Sequence, residues 1–544
     1  MESSGNAIRL SATRIVLVGL AALLLLWGLG QPYLWQDEAA TAVLARRMLR
    51  YGRPLAYDGV NLITIDHSVA ENSGSIAERD RDPHAAVSFY VERGDLKQDT
   101  TWKWQPWGQF VLAAASFKLL GETTLAARLP FAVAGVITVL VLFQFALRYV
   151  GDARIAVLSS VFLTCNSYWI LHGRQCRYYG LSTLLLLLTI YAYTRWQRSA
   201  RWGAALFILA AWCWFQVDYG TLWPVLAVLF TDAFVADRAK LWRPLLVIAV
   251  LAGAIAPFAF YYELWGRLSA QDGTWFQRFL LNLFNLNEYI LPILVVVVAA
   301  VLLIRSSRTL ESSEKRTIAV IAAIFFALLL WIPSVAPAPF LRYIIATAPL
   351  GCLLAAWALV RVVGNRSSIW IWVGAMIYVL TPWLSLPLHA LPMRQRDVSF
   401  LRPELAAMGR NVFGCPDDPN KPVIDWLRQN ARPSDEILIN YEDIPLIFYL
   451  KNPIRGGIAA FRAEDDDVRP PDFVVLRRSA DFGHWLVYQR ELTRYSWEPM
   501  PIEALDIRCG ICPDPLAQEH KEDQDVQHPA KIFVARRVSK QENR

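Results

Sequence analysis

The chain has 544 residues, of which 55% are hydrophobic and only 19% charged. Soluble domains carry about 25% charged residues, so composition argues against a wholly soluble enzyme, excludes an intrinsically disordered chain and, with 7 Cys in this length, excludes a small disulfide scaffold. The net charge of +7, with 22 Trp and 20 Tyr, suits a polytopic membrane protein with basic loops and interfacial aromatic rings, and needs no nucleic acid as partner.

A bilayer core about 30 Å thick requires roughly 20 mostly apolar residues per spanning helix. Taken in order, such runs are Ser11–Gly30, Ala126–Leu147, Ile155–Leu171, Gly180–Thr194, Trp202–Val217, Thr221–Val235, Leu245–Tyr262, Tyr289–Ile304, Thr317–Ile332, Tyr343–Val360 and Ile369–Leu388. The first follows Arg9 and Arg14 and reads as an uncleaved anchor. Trp107–Gly121 is apolar but short, with Lys118 inside it, and reads as an amphipathic juxtamembrane helix lying on the outer face.

With the N-terminus in the cytoplasm, the inner segments hold Arg9, Arg14, Arg148, Arg154, Arg195, Arg198, Arg201, Arg238, Lys240, Arg243, Arg305, Arg308, Lys315, Arg316, Arg361 and Arg366, whereas the short outer loops hold Arg174, Arg177, Arg267, Arg278 and Arg342. This is the positive-inside bias. It predicts a multi-pass plasma (inner) membrane protein with residues 1–392 in the membrane part, a first extracytoplasmic loop over 31–106, and an extracytoplasmic or periplasmic tail over 393–544. The tail reads as mixed α/β, with a helix over Val423–Gln429 and strands at Glu436–Asn440 and Asp472–Leu476.

Three charged clusters fall on the outer side. Asp37 and Glu38, in Trp35-Gln36-Asp37-Glu38-Ala39, suit a general base or a cation site. They equally suit a helix start, with Asp37 as cap of a helix through about Leu49. His172 to Gly180 carries Arg174 and Arg177, whose guanidiniums match phosphate oxygens or lipid headgroups or an internal ion pair. Arg342-Tyr343 opens a later run after the proline-rich loop Pro333–Pro339.

At these residues the chain resembles the GT-C membrane glycosyltransferases of family 39, the protein O-mannosyltransferase and lipid A aminoarabinose-transferase type. The resemblance rests on the order of "WQDEA", "FKLLGETTLAARLPFAVAG", "HGRQCRYYGL" and "LRYIIATAPL", which places family motifs on Asp37, Glu38, Gly121, Arg128-Leu129-Pro130, Arg177, Tyr179, Arg342, Tyr343 and Pro349. Many relatives have His-Pro-Pro-Leu where this chain has Trp104-Gln105-Pro106-Trp107. The resemblance implies a polytopic α-helical GT-C fold with a C-terminal α/β domain. It also implies sugar transfer from a polyprenyl-phosphate donor to a protein, lipid A or other envelope-glycan acceptor, with inversion. Asp37 would be the base, and Glu38 would orient the acceptor or help hold a divalent cation (Mg or Mn). Arg174, Arg177, Tyr179, Arg342 and Tyr343 would hold the donor phosphate, and His67, Gln105 and Asp218 would contact acceptor or substrate.

The competing class is a transporter or lipid flippase. Transporters place ionisable residues within their spans, whereas these charges sit at helix mouths. Cys509-Gly-Ile-Cys512 has no second pair, so with Cys415 it reads as a disulfide set of unresolved pairing before a zinc site. No P-loop or Rossmann fingerprint appears.

Overall fold

The computed structural model describes residues 2–63, 101–236, 238–264, 274–305, 312–336, 339–364, 367–389, 400–414, 416–456, 470–477, 492–507 and 531–538. His67, Cys415, Cys509 and Cys512 lie outside the described residues. The helices in chain order are α1 (Glu2–Leu26), α2 (Gln36–Tyr51), α3 (Gly108–Leu120), α4 (Thr124–Phe145), α5 (Ala153–Thr164), α6 (Ser167–Gly173), α7 (Tyr179–Gln197), α8 (Gly203–Phe215), α9 (Tyr219–Ala236) and α10 (Trp242–Tyr261). They continue as α11 (Trp275–Tyr289), α12 (Ile293–Arg305), α13 (Ser312–Val335), α14 (Leu341–Ile344), α15 (Ala348–Val363), α16 (Ser368–Leu380), α17 (Leu386–His389), α18 (Pro403–Phe413), α19 (Asn420–Asn430) and α20 (Asp443–Tyr449).

Each apolar run read from the sequence coincides with a helix or a helix pair. Among the described residues, five helices are long and apolar enough to cross a membrane alone, and the count rises to seven if the pairs α5–α6, bent by 69°, and α11–α12, bent by 88°, are single spans. The α5–α6 bend has a local cause. Asn166 interrupts the helix, and its side-chain oxygen accepts the Trp169 N–H at 2.9 Å, so it caps a new start. At Gly180 only a glycine fits, because a Cβ there would stand 2.9 Å from the Gly173 oxygen. That approach lets α7 leave directly from the turn after α6.

The helix over Trp107–Gly121 is α3, 13 residues long. At 1.5 Å per residue it reaches about 20 Å, short of a bilayer core. The expected amphipathic pattern is absent. Phe110, Ala113 and Phe117 are buried, while Val111, Leu119 and Leu120 are exposed, so the helix is apolar on both faces.

The tail holds a five-stranded sheet in the order β2-β1-β3-β5-β4, with β1 (Ile437–Ile439), β2 (Ile454–Arg455), β3 (Phe473–Leu476), β4 (Ser496–Pro499) and β5 (Phe533–Val538). β1 runs parallel to β2 and β3; β5 runs antiparallel to β3 and β4. The predicted helix and two strands fall on α19, β1 and β3. The sheet does not stand apart from the membrane part. Leu34, Val43, Phe110 and Phe117 share one apolar cluster with Ile424, Ile447, Phe448 and Phe473, so α2 and α3 form the floor on which the tail rests. Tyr33 and Tyr449 stack at 4.1 Å, and the Tyr449 hydroxyl takes the Leu34 N–H at 2.9 Å.

α2 is anchored at its far end by a partly buried ion pair. The Arg47 guanidinium bonds Asp58 at 2.8 Å and the backbone oxygens of Ala56 at 2.7 Å and Asn61 at 2.6 Å. Burial pushes the Asp58 carboxyl up, but the Arg47 charge and the Asn61 and Val60 N–H donors outweigh it, and the net shift is downward. A lowered folded-state pKa contributes stability that is present above the unfolded value of about 3.9 and lost as pH falls through the folded one. Asp58→Asn is therefore expected to melt below the parent at neutral pH, with the gap closing below about pH 4. Thermal unfolding of both proteins across pH 3–8 checks this; a gap that is constant with pH would contradict it.

Candidate active site

The site begins at the first turn of α2. Trp35 is extended (φ −83°, ψ 172°) and ends the preceding chain without a side-chain cap. Asp37 is thus not the cap but a first-turn residue, and with Glu38 it faces the positive end of the helix dipole. Gly52, at φ 75°, closes the far end by donating its N–H to Met48.

The two acidic neighbours part in space. The Asp37 side chain is 29% exposed and stands between two guanidiniums, 3.7 Å from Arg177 and 3.5 Å from Arg342. Glu38 is fully buried. Its oxygens take Arg128 Nε at 2.8 Å and Arg128 Nη2 at 2.7 Å in a fork, and Oε1 also takes the Cys176 N–H at 2.8 Å. Arg128 continues to the oxygens of Leu29 at 3.0 Å and Pro32 at 2.8 Å. Glu38 is thereby withdrawn from the surface on which Asp37 lies.

The arginines divide in the same way. Arg177, in the turn between α6 and α7, donates to the Asp37 backbone oxygen and to Thr41 Oγ1, both at 3.2 Å. Arg342, on α14, lies over Trp35 at 5.8 Å and Phe340 at 4.4 Å, positions that favour a cation on an aromatic face. Arg174, expected at the phosphate, instead turns to α1. It donates to the Leu24 oxygen at 3.3 Å and to the Trp27 oxygen. A cation there satisfies carbonyls at a helix C-terminus, which explains why it leaves the Asp37 cluster.

Tyr179 opens α7 and Tyr343 sits on α14; both lie within electrostatic range of Asp37, Arg177 and Arg342. Asp218 is engaged by its own neighbours. Its Oδ1 takes the N–H groups of Gly220 at 3.1 Å and Thr221 at 3.3 Å, so it caps α9, and its Oδ2 takes the hydroxyls of Ser182 at 2.8 Å and Thr221 at 2.6 Å. Gln105 lies at the start of α3, where its Oε1 takes Gln109 Nε2 at 3.0 Å. Gln109 is fully buried and its Oε1 lies 3.5 Å from Thr41 Oγ1. A polar file thus runs from Gln105 to Arg177.

Sequence reasoning passed over Thr41, Gln109 and Trp35. The available signals were Thr41 one turn after Asp37 on the same helix face, and Gln109 as a lone amide in an apolar stretch. Among the described residues, no three His, Cys, Asp or Glu side chains converge as a metal set. With Asp37 between two cations and Glu38 forked by Arg128, this donor set does not fit a divalent cation.

A groove of about 790 Å³ runs between α9 and α13, lined by Trp223, Ala227, Val228, Ala323, Ala327 and Trp331; Asp37, Arg177 and Arg342 are not among its lining residues. One end is closed by Arg316, which pairs with Asp232 at 2.8 Å. At the other, Trp331 Nε1 donates to the Gly220 oxygen at 2.8 Å, level with the Asp218–Ser182 contact one turn from Tyr179. α13 then leads through Pro339 into Arg342.

Residues 105–262 match the family described as dolichyl-phosphate-mannose-protein mannosyltransferase. No curated protein matches the sequence. Among solved structures, ArnT from Cupriavidus metallidurans bound to undecaprenyl phosphate is similar over 99% of each chain at 14% identity, with a TM-score of 0.56. Its apo state gives 98% of each chain, 13% identity and 0.56. The archaeal oligosaccharyltransferase AglB from Archaeoglobus fulgidus, in complex with an inhibitory peptide and a dolichol-phosphate, is similar over 91% of this chain and 74% of that one, at 12% identity and 0.50. The chain has the GT-C fold of a multi-pass membrane protein, and over residues 105–262 it resembles the mannosyltransferase family.

Proposed function

We propose that the protein is a glycosyltransferase that moves a sugar from a polyprenyl-phosphate donor to an acceptor on the extracytoplasmic side of the membrane, with the C-terminal domain on that side. The observation that carries this reading is the convergence of Asp37, Arg177 and Arg342. A carboxylate flanked by two guanidiniums suits a reaction in which a proton leaves one oxygen while negative charge grows on another.

In the proposed step an acceptor hydroxyl attacks the anomeric carbon, and Asp37 takes its proton. The bond from the anomeric carbon to the phosphate oxygen breaks, and the electron pair leaves with the polyprenyl monophosphate, inverting the anomeric centre. Arg177 and Arg342 stabilise that charge, with Tyr179 and Tyr343 beside them. Arg174 and Glu38 take no part in the chemistry, and no step is routed through a cation. Gln105 lies at the end of the polar file and is the best placed acceptor contact among the described residues.

The acceptor is a protein, lipid A or another envelope glycan. The experiment is incubation of the full-length protein in proteoliposomes with a panel of synthetic polyprenyl-phosphate sugars and these acceptors, read by mass spectrometry. A sugar-sized mass increase on one acceptor class supports the reading. Movement of lipid without any transfer would favour a flippase.

Taken as the seat of the donor's lipid chain, the groove between α9 and α13 makes a separate prediction. Ala227→Trp together with Ala323→Trp fills its middle and is expected to raise the KM for a long-chain donor about 10-fold or more, a loss of 1.4 kcal/mol of binding, while a short-chain donor is affected much less. Equal effects on both chain lengths would contradict the assignment.

A further inference from the structure

A second set of buried charges lies in the tail domain, and it leads to the first turn of α2. β1 and β3 are parallel neighbours that end at Ile439 and Leu476. Just beyond them Asn440 and Arg477 bond reciprocally, Nδ2 to oxygen at 2.7 Å and N–H to Oδ1 at 2.8 Å. The Arg477 side chain, 2% exposed, bonds Asp506 at 2.8 Å and pairs with Glu442. Glu442 has φ 60°, the left-handed region that non-glycine residues rarely adopt and that surrounding contacts must hold.

That turn presents the next residue, Asp443. Asp443 Oδ1 takes Gln36 Nε2 at 2.7 Å, and the Ile444 N–H donates to Gln36 Oε1 at 3.3 Å. The approach is close: a Cβ on Gly456 would fall 2.2 Å from the Asp443 Cβ, so only glycine fits there. Farther along α2, Arg46 donates to the oxygens of Ile447 at 2.8 Å and Phe448 at 2.9 Å. α20 therefore holds α2 at two places, and the first is the residue before Asp37.

We propose that the tail domain is the positioning element of the active site: the Arg477–Glu442–Asp443 chain clamps Gln36 and so sets the Asp37 carboxylate between Arg177 and Arg342. This rests on the reading of Asp37 as the base. Gln36 and Asp443 are positioning residues, since neither reaches the reacting atoms in the proposed step. An amide at 36 is required because it must donate to a carboxylate and accept from an N–H at once. A carboxylate at 36 would oppose Asp443, and an amide at 443 would restore the match with reversed polarity.

The test compares the parent, Gln36→Glu, and Gln36→Glu with Asp443→Asn, all full length in proteoliposomes, using the polyprenyl-phosphate sugar the parent turns over. Displacing a catalytic group by about 1 Å costs up to 10²-fold. Gln36→Glu is expected to lose about 10-fold or more in kcat, with KM for the donor within about twofold, and the double variant to recover to within about threefold. Hydrogen exchange over residues 36–45 is expected to quicken in Gln36→Glu and to return in the double variant, a readout that needs no substrate. Unchanged kcat and exchange in Gln36→Glu, no rescue in the double variant, or a loss that only tracks the folded fraction would each overturn the proposal. Failure of the base assignment would show separately, as turnover that survives Asp37→Asn.

Discussion

Asp37→Asn, purified as the full-length protein, is expected to fold like the parent and to lose about 10²–10⁴-fold in turnover, the usual contribution of a positioned base. The substitution keeps the shape of the side chain and one acceptor oxygen. It removes the charge that holds Arg177 and Arg342 at 3.7 and 3.5 Å. Asp37 is 29% exposed, but the Arg177 side chain is only 9% and the Arg342 side chain 15% exposed, so folding is expected to lose more than a surface pair would, about 1–3 kcal/mol. Arg177 also retains its bonds to the Asp37 backbone oxygen and Thr41. Binding of the polyprenyl monophosphate itself is expected to hold or strengthen, since the anion no longer competes with a carboxylate for the same cations. Single-turnover transfer, the melting curve and polyprenyl-phosphate binding by native mass spectrometry check the three statements together. Full turnover in a folded Asp37→Asn protein would end the assignment of the base.

Much of the architecture was legible because lipid imposes a coarse rule. A run of apolar residues becomes a helix, since backbone groups in hydrocarbon have no other partner. The runs from Ser11 to Leu388 accordingly coincide with helices or bent pairs. The rule does not say where a helix breaks. Asn166, which interrupts the run Ile155–Leu171, acts through a single cap bond, and composition averaged over 20 residues hides it. Nor does it distinguish a crossing from a packed element, which is why α3 read as amphipathic although it meets α2 on one side and exposes leucines on the other.

The charged residues show the same division. Asp37, Arg177 and Arg342 were legible as charges at helix mouths, and the structure brings them together. Arg174 and Glu38 looked the same by that criterion, yet each is spent on a partner far away in sequence. Arg174 meets backbone oxygens of Leu24 and Trp27, and a carbonyl acceptor leaves no mark in sequence. Glu38 meets Arg128, 90 residues on. The pattern "AARLP" marked that arginine as part of the resemblance but not as the partner of Glu38. The clamp on Gln36 comes from residues 407 and 408 positions away, beyond what local periodicity reports.

Arg128→Met is expected to be the most damaging single change for folding. It leaves the Glu38 carboxylate, fully buried, with the Cys176 N–H as its remaining hydrogen-bond donor among the described residues. Breaking a buried pair from one side costs about 3–5 kcal/mol, because the surviving charge has lost its counter-ion without regaining water. Glu38→Gln is expected to cost less. The amide oxygen can still accept from the guanidinium or from Cys176, and Arg128 keeps the oxygens of Leu29 and Pro32 at 3.0 and 2.8 Å. Removing both charges together, as Glu38→Gln with Arg128→Met, takes away the buried carboxylate that Arg128→Met strands, so the double variant is expected to be more stable than Arg128→Met alone. Thermal unfolding of the three proteins gives that non-additivity directly. The same set decides what Glu38 does. If it holds α2 to α4 and nothing more, turnover in Glu38→Gln falls only in step with the folded fraction. A folded Glu38→Gln protein without turnover would move the base from Asp37 to its neighbour.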